Sequence, residues 1–161
     1  MILTKEEMSN FKRLVKFVNS LSEDPLDLYI GQGKTRDVYA LSERFVLKVQ
    51  DNESGHVDEH GGNREEFEHY KIFSDEAKEC AAKPFFITKN DKFMIMERML
   101  VTIEDMCSEE VDWDRAWEVE EALSDFGVSD MHTSNIMINE SGEYKVVDYA
   151  AAYGCSYTDQ Y

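Results

Sequence analysis

The sequence predicts an α+β fold built in two lobes, and three features of its 161 residues lead to that prediction. Apolar residues near the start of the chain recur at the spacing of a helix. Short β-prone runs separated by turn residues follow them. Helical and β-prone segments then alternate, and antiparallel strands interrupted by a helix and followed by a helical section are typical of the α+β class.

Capping patterns and periodicity set the expected bounds of each element. Thr4 and Glu7 form a capping-box pattern, which predicts a helix that begins just after Thr4. Polar residues at 51–62 predict a loop, and residues 90–92 predict a turn. The expected helices span residues 5–20, 63–78 and 113–126, and the expected strands span residues 28–30, 38–41, 45–49, 85–87, 93–96, 136–138 and 144–147.

The helix expected over residues 113–126 carries apolar and acidic side chains. Its core-facing residues are expected to be Trp113, Ala116, Trp117, Leu123 and Phe126. The acidic residues on and just before it are Glu109, Glu110, Asp112, Asp114, Glu118, Glu120, Glu121 and Asp125. They form either the polar face of an amphipathic helix, or a docking surface for a basic protein or a mimic of nucleic-acid charge.

The charge balance excludes several classes of partner. The chain has 34 acidic and 17 basic residues and a net charge of −17, which disfavours direct binding of nucleic acid or anionic lipid.

The chain has no uninterrupted apolar run of about eighteen residues, so no membrane span is expected. Its first residues, MILTKEEMSNFKR, carry charges where a signal peptide is apolar, and its three cysteines form no disulfide framework. We therefore expect a cytoplasmic protein.

Two features early in the chain are typical of a site for nucleotide phosphates. Gly31 and Gly33, followed by Val38, have the outline of a loop whose backbone can approach a triphosphate closely, although an ordinary hairpin turn can carry the same glycines. Lys48 lies in the apolar run at residues 45–49. It is either a residue on a solvated face or a strand lysine that holds the α- and β-phosphates.

A carboxylate partner for that lysine is expected at the start of the next helix. Glu66 is preferred because an aromatic face lies beside it, while Glu65 and Glu68 remain open as alternatives. The same acidic residues also fit a simple electrostatic cap at the start of a helix.

The most informative motif is DMHTSNIMI, at residues 130–138. Asp130 precedes Asn135 by five positions, and an apolar strand follows at once. This spacing is typical of a catalytic loop in which the aspartate accepts the proton of a substrate hydroxyl and the asparagine coordinates a metal. Asp148 closes the next strand, and the hairpin between them is expected to bring both side chains to one Mg²⁺.

From about Leu28 to Ala150 the chain resembles the protein-kinase-like superfamily. The form Asp130-x-His132-x-x-Asn135 is similar to the catalytic loop of aminoglycoside phosphotransferases and choline kinases. The longer string DMHTSNIMI resembles the catalytic loop of serine/threonine kinases encoded by short-tailed bacteriophages.

The resemblance implies a fold and a set of roles. A helix within residues 1–25 would precede a five-stranded antiparallel N-lobe with one helix at residues 26–98, and residues 99–161 would form a truncated helical C-lobe. The implied site residues are Gly31, Gly33, Val38, Lys48, Glu97 and Met99 for the nucleotide (the last two in the hinge that touches adenine), Asp130 with Lys48 and Glu66 for catalysis, and Asn135 and Asp148 for the metal.

The resemblance also implies an ATP- and Mg²⁺-dependent phosphotransferase. The function that fits it best is a phage serine/threonine kinase acting on a host protein in the host cytoplasm. Tyr149-Ala150 replaces the usual Phe-Gly, and only 13 residues follow Asp148, so no activation segment or distal helical subdomain is expected. The alternative is a catalytically inactive kinase fold that binds a host factor through its acidic surface or mimics nucleic-acid charge.

Overall fold

The structure, a computed structural model, describes residues 4–33, 36–50, 62–128 and 131–150. The helices are α1 (Lys5–Val18), α2 (Asn63–Ile72), α3 (Asp75–Glu79) and α4 (Trp113–Ser124), with short 3-10 turns at Leu26–Leu28 and Ile103–Asp105. The strands are β1 (Tyr29–Gln32), β2 (Arg36–Ala40), β3 (Phe45–Gln50), β4 (Pro84–Ile87), β5 (Phe93–Glu97), β6 (Val101–Thr102), β7 (Ile136–Ile138) and β8 (Tyr144–Val146). None of the helices in these ranges is long and apolar enough to cross a bilayer.

The predicted α+β class is confirmed, and so is a five-stranded antiparallel sheet. The strand order is β1-β2-β3-β5-β4. This sheet belongs to the first of two compact units, formed by residues 1–64 and 83–98. The turn expected at residues 90–92 connects β4 and β5, with Asp91 in the left-handed backbone region at φ 62°. The loop expected at residues 51–62 lies outside the described residues except for Gly62.

Helix α1 covers one face of the five-stranded sheet. Its capping box forms as predicted, because the Thr4 N–H donates to the Glu7 carboxylate at 2.7 Å and Thr4 Oγ1 accepts from the Glu7 N–H. Phe11 then packs on Phe45, with 5.4 Å between the ring centroids. The buried core beneath the helix consists of Val18, Tyr39, Phe45, Leu47, Val49, Phe93 and Ile95.

The second compact unit comprises residues 65–82 and 99–161. Its sheet has the order β6-β7-β8, and α4 packs against both α3 and β8. Phe73 joins the parts of its core, since its ring lies 5.2 Å from that of Phe126 and 5.3 Å from that of Tyr149. Residues 65–82, which the sequence assigns to the range 26–98, therefore pack in the second unit.

Two details of the helices differ from the sequence predictions. The single helix expected at residues 63–78 is divided, because Ser74 accepts a hydrogen bond from the Ala77 N–H and caps a new helix, α3. In α4 the buried residues are Ala116, Val119 and Leu123. Trp113 and Trp117, expected in the core, are 39% and 63% exposed.

Candidate functional site

In the first unit, Lys48 occupies the middle of the central strand β3. Val38 on β2 and Met94 on β5 are its partners in register. Because side chains alternate along a strand, Lys48 lies on the face opposite Leu47, which packs in the core beneath α1. Lys48 is only 6% exposed, so it is not a lysine on a solvated face. A buried ammonium group is stable only with polar partners.

The two glycines that were expected over the nucleotide lie at the hairpin between β1 and β2. Gly31 is opposite Val38, and the Gly33 N–H donates to the Arg36 carbonyl at 2.7 Å. A Cβ atom added at Gly31 would meet nothing within 4 Å, and one at Gly33 would meet the Arg36 carbonyl oxygen at 3.5 Å. Neither position requires glycine for its backbone angle. The open space is therefore at Gly31, while Gly33 lies in ordinary contact with the Arg36 carbonyl.

In the second unit, the β7–β8 hairpin places Asn135 next to the residue that precedes Asp148. Ile136 pairs with Val146, and the Val147 N–H donates to the Asn135 carbonyl at 2.8 Å. Asn135 and Val147, the residue directly before Asp148, are therefore neighbours at the open end of one hairpin. Gly142, at φ 78°, makes the turn that allows this return.

His132 orients the side chain of Asn135. The Asn135 amide nitrogen lies 3.2 Å from His132 Nε2. On the other side of the ring, His132 Nδ1 lies 2.5 Å from Ser134 Oγ. A side-chain amide binds a cation through its oxygen, so Asn135 could contribute one oxygen ligand.

Asp148 has a strained backbone that a buried carboxylate holds in place. Its φ is 67°, in the left-handed region that non-glycine residues rarely adopt and that aspartate tolerates better than most. Its N–H donates to Glu66 Oε1 at 3.0 Å. Glu66 is fully buried, whereas Glu65 is exposed and Glu68 bonds Lys71 at the surface. Among the three glutamates that the sequence left open, only Glu66 therefore lies inside the protein.

Tyr149, the residue after Asp148, is also held in place by hydrogen bonds, and the sequence did not predict them. Tyr149 is fully buried, and its hydroxyl donates to the Ala82 carbonyl at 2.7 Å. The His69 imidazole donates from Nδ1 to the Tyr149 carbonyl at 3.0 Å. Glu66 and His69 are three residues apart on α2, and this spacing puts both side chains on one face of the helix. The spacing was the feature of the sequence from which the role of His69 could have been predicted.

The two residues expected in the hinge contribute differently. Glu97 is 2% exposed, and its carboxylate accepts from the Lys83 N–H at 3.1 Å. The Glu97 N–H donates to the Lys83 carbonyl at 2.8 Å. The side chain and the backbone of Glu97 are therefore both hydrogen-bonded to Lys83, within the first unit. Met99 is also buried, at 6% exposure. Within the described residues, the Met99 N–H has no backbone hydrogen-bond partner.

Asp130, the expected catalytic base, lies outside the described residues. Within those residues there is no group of three or more His, Cys, Asp or Glu side chains that could hold a metal ion. Asn135 and Asp148 would be a site of another kind, with one amide and one carboxylate oxygen.

Comparisons with known proteins assign no family to the chain. No protein-family model matches the sequence, and no curated protein matches it either. The assignment of a function therefore rests on the residues and contacts described above.

Proposed function

We propose that the chain is an ATP- and Mg²⁺-dependent phosphotransferase of the protein-kinase type, acting on a serine or threonine hydroxyl of a protein. The observation that carries the proposal is the conformation of Asp148. A fully buried carboxylate, Glu66, engages its N–H while its φ is 67°. Strain of this kind is retained where the surrounding structure enforces it, and it is concentrated at functional sites.

The donor atoms at the end of the β7–β8 hairpin suit magnesium. Mg²⁺ prefers oxygen ligands and is usually bound by one or two protein groups, with water and substrate phosphates completing its shell. Asn135 and Asp148 would supply one amide oxygen and one carboxylate, and the register of the hairpin places Asn135 beside Val147, the residue before Asp148. When bound, Mg²⁺ would neutralise charge on the phosphates during transfer.

Lys48 is the residue of the first unit that would bind the phosphates. Its position among apolar neighbours on β3 reduces the solvent screening of its charge, which strengthens attraction to an anion. On the neighbouring strand β1, Gly31 has no heavy atom within 4 Å of the position that a Cβ would take, which leaves space for a ligand there. A protein with a net charge of −17 needs local positive charge of this kind to bind ATP.

Asp130 would accept the proton from the substrate hydroxyl, a role that rests on its spacing from Asn135. The chain's own residues would thus hold the phosphates, orient the metal ligands and remove one proton. Phosphoryl transfer needs such positioning and charge neutralisation more than it needs covalent chemistry.

The direct test is ATP binding with and without Mg²⁺, measured by titration calorimetry on the wild-type protein and on Asp148→Asn. We expect Mg²⁺ to strengthen ATP binding to the wild type. In the variant, we expect the increase in affinity that Mg²⁺ produces to be smaller by at least about tenfold. Asp91→Asn is the matched control, since Asp91 also has a positive φ, 62°, and undergoes the same change of charge. Wild-type protein that binds no ATP, or an Asp148→Asn variant with unchanged Mg²⁺ dependence, would refute the proposal.

A further inference from the structure

Two tryptophans are exposed side by side on α4. Trp113 is 39% exposed and Trp117 is 63% exposed. They are four residues apart, so they are neighbours on the helix surface. The buried stripe of the same helix is formed by Ala116, Val119 and Leu123, which pack towards α3 and β8. Large aromatic side chains left outside a core in this way are characteristic of interaction surfaces.

The first tryptophan is held in a fixed orientation. The Trp113 indole Nε1 donates to the Ser108 carbonyl at 3.2 Å. Asp112 caps the helix just before it by accepting from the Arg115 N–H at 3.1 Å. An aromatic ring that is already oriented loses little conformational entropy when a partner covers it.

Carboxylates surround this tryptophan pair. Residues 104–125 contain ten acidic residues and one basic residue, Arg115, and that arginine is paired with Glu118 at 2.6 Å. By helical spacing, Asp114 and Glu121 border Trp117 on one side and Glu120 borders it on the other. Within the described part of the chain, no ion pair is found for these three carboxylates.

We propose that the Trp113–Trp117 surface binds a lysine- or arginine-rich segment of a partner protein. Guanidinium and ammonium groups stack favourably on indole faces, and the bordering carboxylates would pair with the same cations. The total charge of −17 would also attract such a segment from a distance.

The same charges disfavour the other occupants. A second copy of the chain would bring two proteins of charge −17 together through acidic surfaces. Nucleic acid and anionic lipid would both place further negative charge beside Asp114, Glu120 and Glu121. The surface therefore selects a cationic partner, and this selection does not depend on the proposed phosphotransferase activity.

The test uses the full chain and a synthetic peptide of alternating arginine and serine. The control peptide contains citrulline, which has nearly the shape of arginine without its charge. The two tryptophans of the protein are both on α4, so fluorescence excited selectively from tryptophan reports on this surface. We expect the arginine peptide to change the emission and the citrulline peptide to leave it unchanged. Affinity is measured by the anisotropy of a dye-labelled peptide.

Two variants locate the binding site. Trp117→Ala should raise the Kd by about tenfold, through loss of the stacking partner. Asp114→Asn/Glu121→Gln should raise the Kd severalfold and flatten its dependence on salt. The matched control is Glu6→Gln/Glu43→Gln, which removes two charges from exposed positions of the first unit and should raise the Kd much less.

Several results would overturn the proposal. These are equal binding of the citrulline peptide, no binding of the arginine peptide by the wild type, or an equal loss of affinity in the Glu6→Gln/Glu43→Gln control. Sedimentation velocity adds a further check. A dimer of the wild type that Trp117→Ala dissociates would show that a second copy covers the surface, which would also overturn it.

Discussion

The carboxylate of Glu66 and the backbone N–H of Asp148 are 3.0 Å apart, although 82 residues separate them in sequence. This hydrogen bond joins α2 to the end of the β7–β8 hairpin within the second unit. It satisfies a backbone donor in a left-handed residue, where a standard strand bond is not available. The conformation of Asp148 therefore depends on Glu66, which the sequence pattern predicted only as the carboxylate partner of Lys48.

The first prediction concerns that bond. Glu66→Ala should lower the free energy of unfolding by about 1–3 kcal/mol, because it leaves the Asp148 N–H without its acceptor. Glu66→Gln keeps an oxygen at the same place and should cost less. Urea denaturation measures both changes, and Glu65→Gln, at an exposed position on the same helix, is the control. Equal stability of Glu66→Ala and the wild type would show that the bond contributes nothing.

The second prediction separates catalysis from binding. Asp130→Ala should reduce phosphate transfer by about 10²–10⁴-fold, because the substrate hydroxyl loses its base. Nucleotide affinity should be nearly unchanged, since the phosphates and the metal are assigned to other residues. The measurement is transfer of labelled phosphate from ATP to protein in a host lysate, with Mg²⁺ and without it. The exposed Asp125→Ala variant is the control. Equal turnover by Asp130→Ala and the wild type would remove Asp130 from the mechanism.

The third prediction concerns pH. A hydrogen bond from Asn139 to Glu143, at 2.6 Å, together with the more distant Lys145, lowers the pKa of the Glu143 carboxyl. Since the folded pKa lies below the unfolded one, this contribution to stability is present above the unfolded pKa. It is lost as the pH falls through the folded pKa. Asn139→Ala should raise the pKa of Glu143 towards its ordinary value, as an NMR titration of its carboxyl carbon can measure. Asn19→Ala, in the first unit, should not; an unchanged Glu143 titration in Asn139→Ala would contradict the assignment.

The fourth prediction concerns two cysteines of the second unit. Burial raises the pKa of the Cys80 thiol, which is 5% exposed, so little thiolate forms there at neutral pH. Cys107 is exposed. Iodoacetamide should therefore modify Cys107 in the folded protein and reach Cys80 only when urea unfolds it, as peptide mass mapping would show. Alkylation of both residues at the same rate in native buffer would mean that the Cys80 region opens readily.

Much of the fold follows from chemistry between residues that are close together in the chain. The capping box at Thr4 and the turn at residues 90–92 form as predicted, because each depends on atoms only a few residues apart. The division of the second expected helix at Ser74 also has a local signal. Serine followed by Asp75 and Glu76 is typical of a helix start, and the apolar spacing that continues across it hides that signal.

The candidate site was predictable only in part. The spacing from Asn135 to Asp148 predicted a hairpin, and the hairpin is present with Asn135 beside Val147. The sequence favoured Glu66, for the aromatic face beside it, but left Glu65 and Glu68 open because all three are glutamates on one helical segment. The distinction arises from burial, which depends on what the rest of the chain packs against that turn of α2.

What the sequence determined by itself about this protein is therefore local: the helical and strand periods, the caps and turns, the overall charge and the order of its motifs. The tertiary structure decided which apolar side chains of α4 are buried. Ala116 and Val119 pack inside, while Trp117 remains at the surface. It also decided the left-handed backbone of Asp148. Both outcomes depend on contacts between residues far apart in the chain, and periodicity carries no information about such contacts.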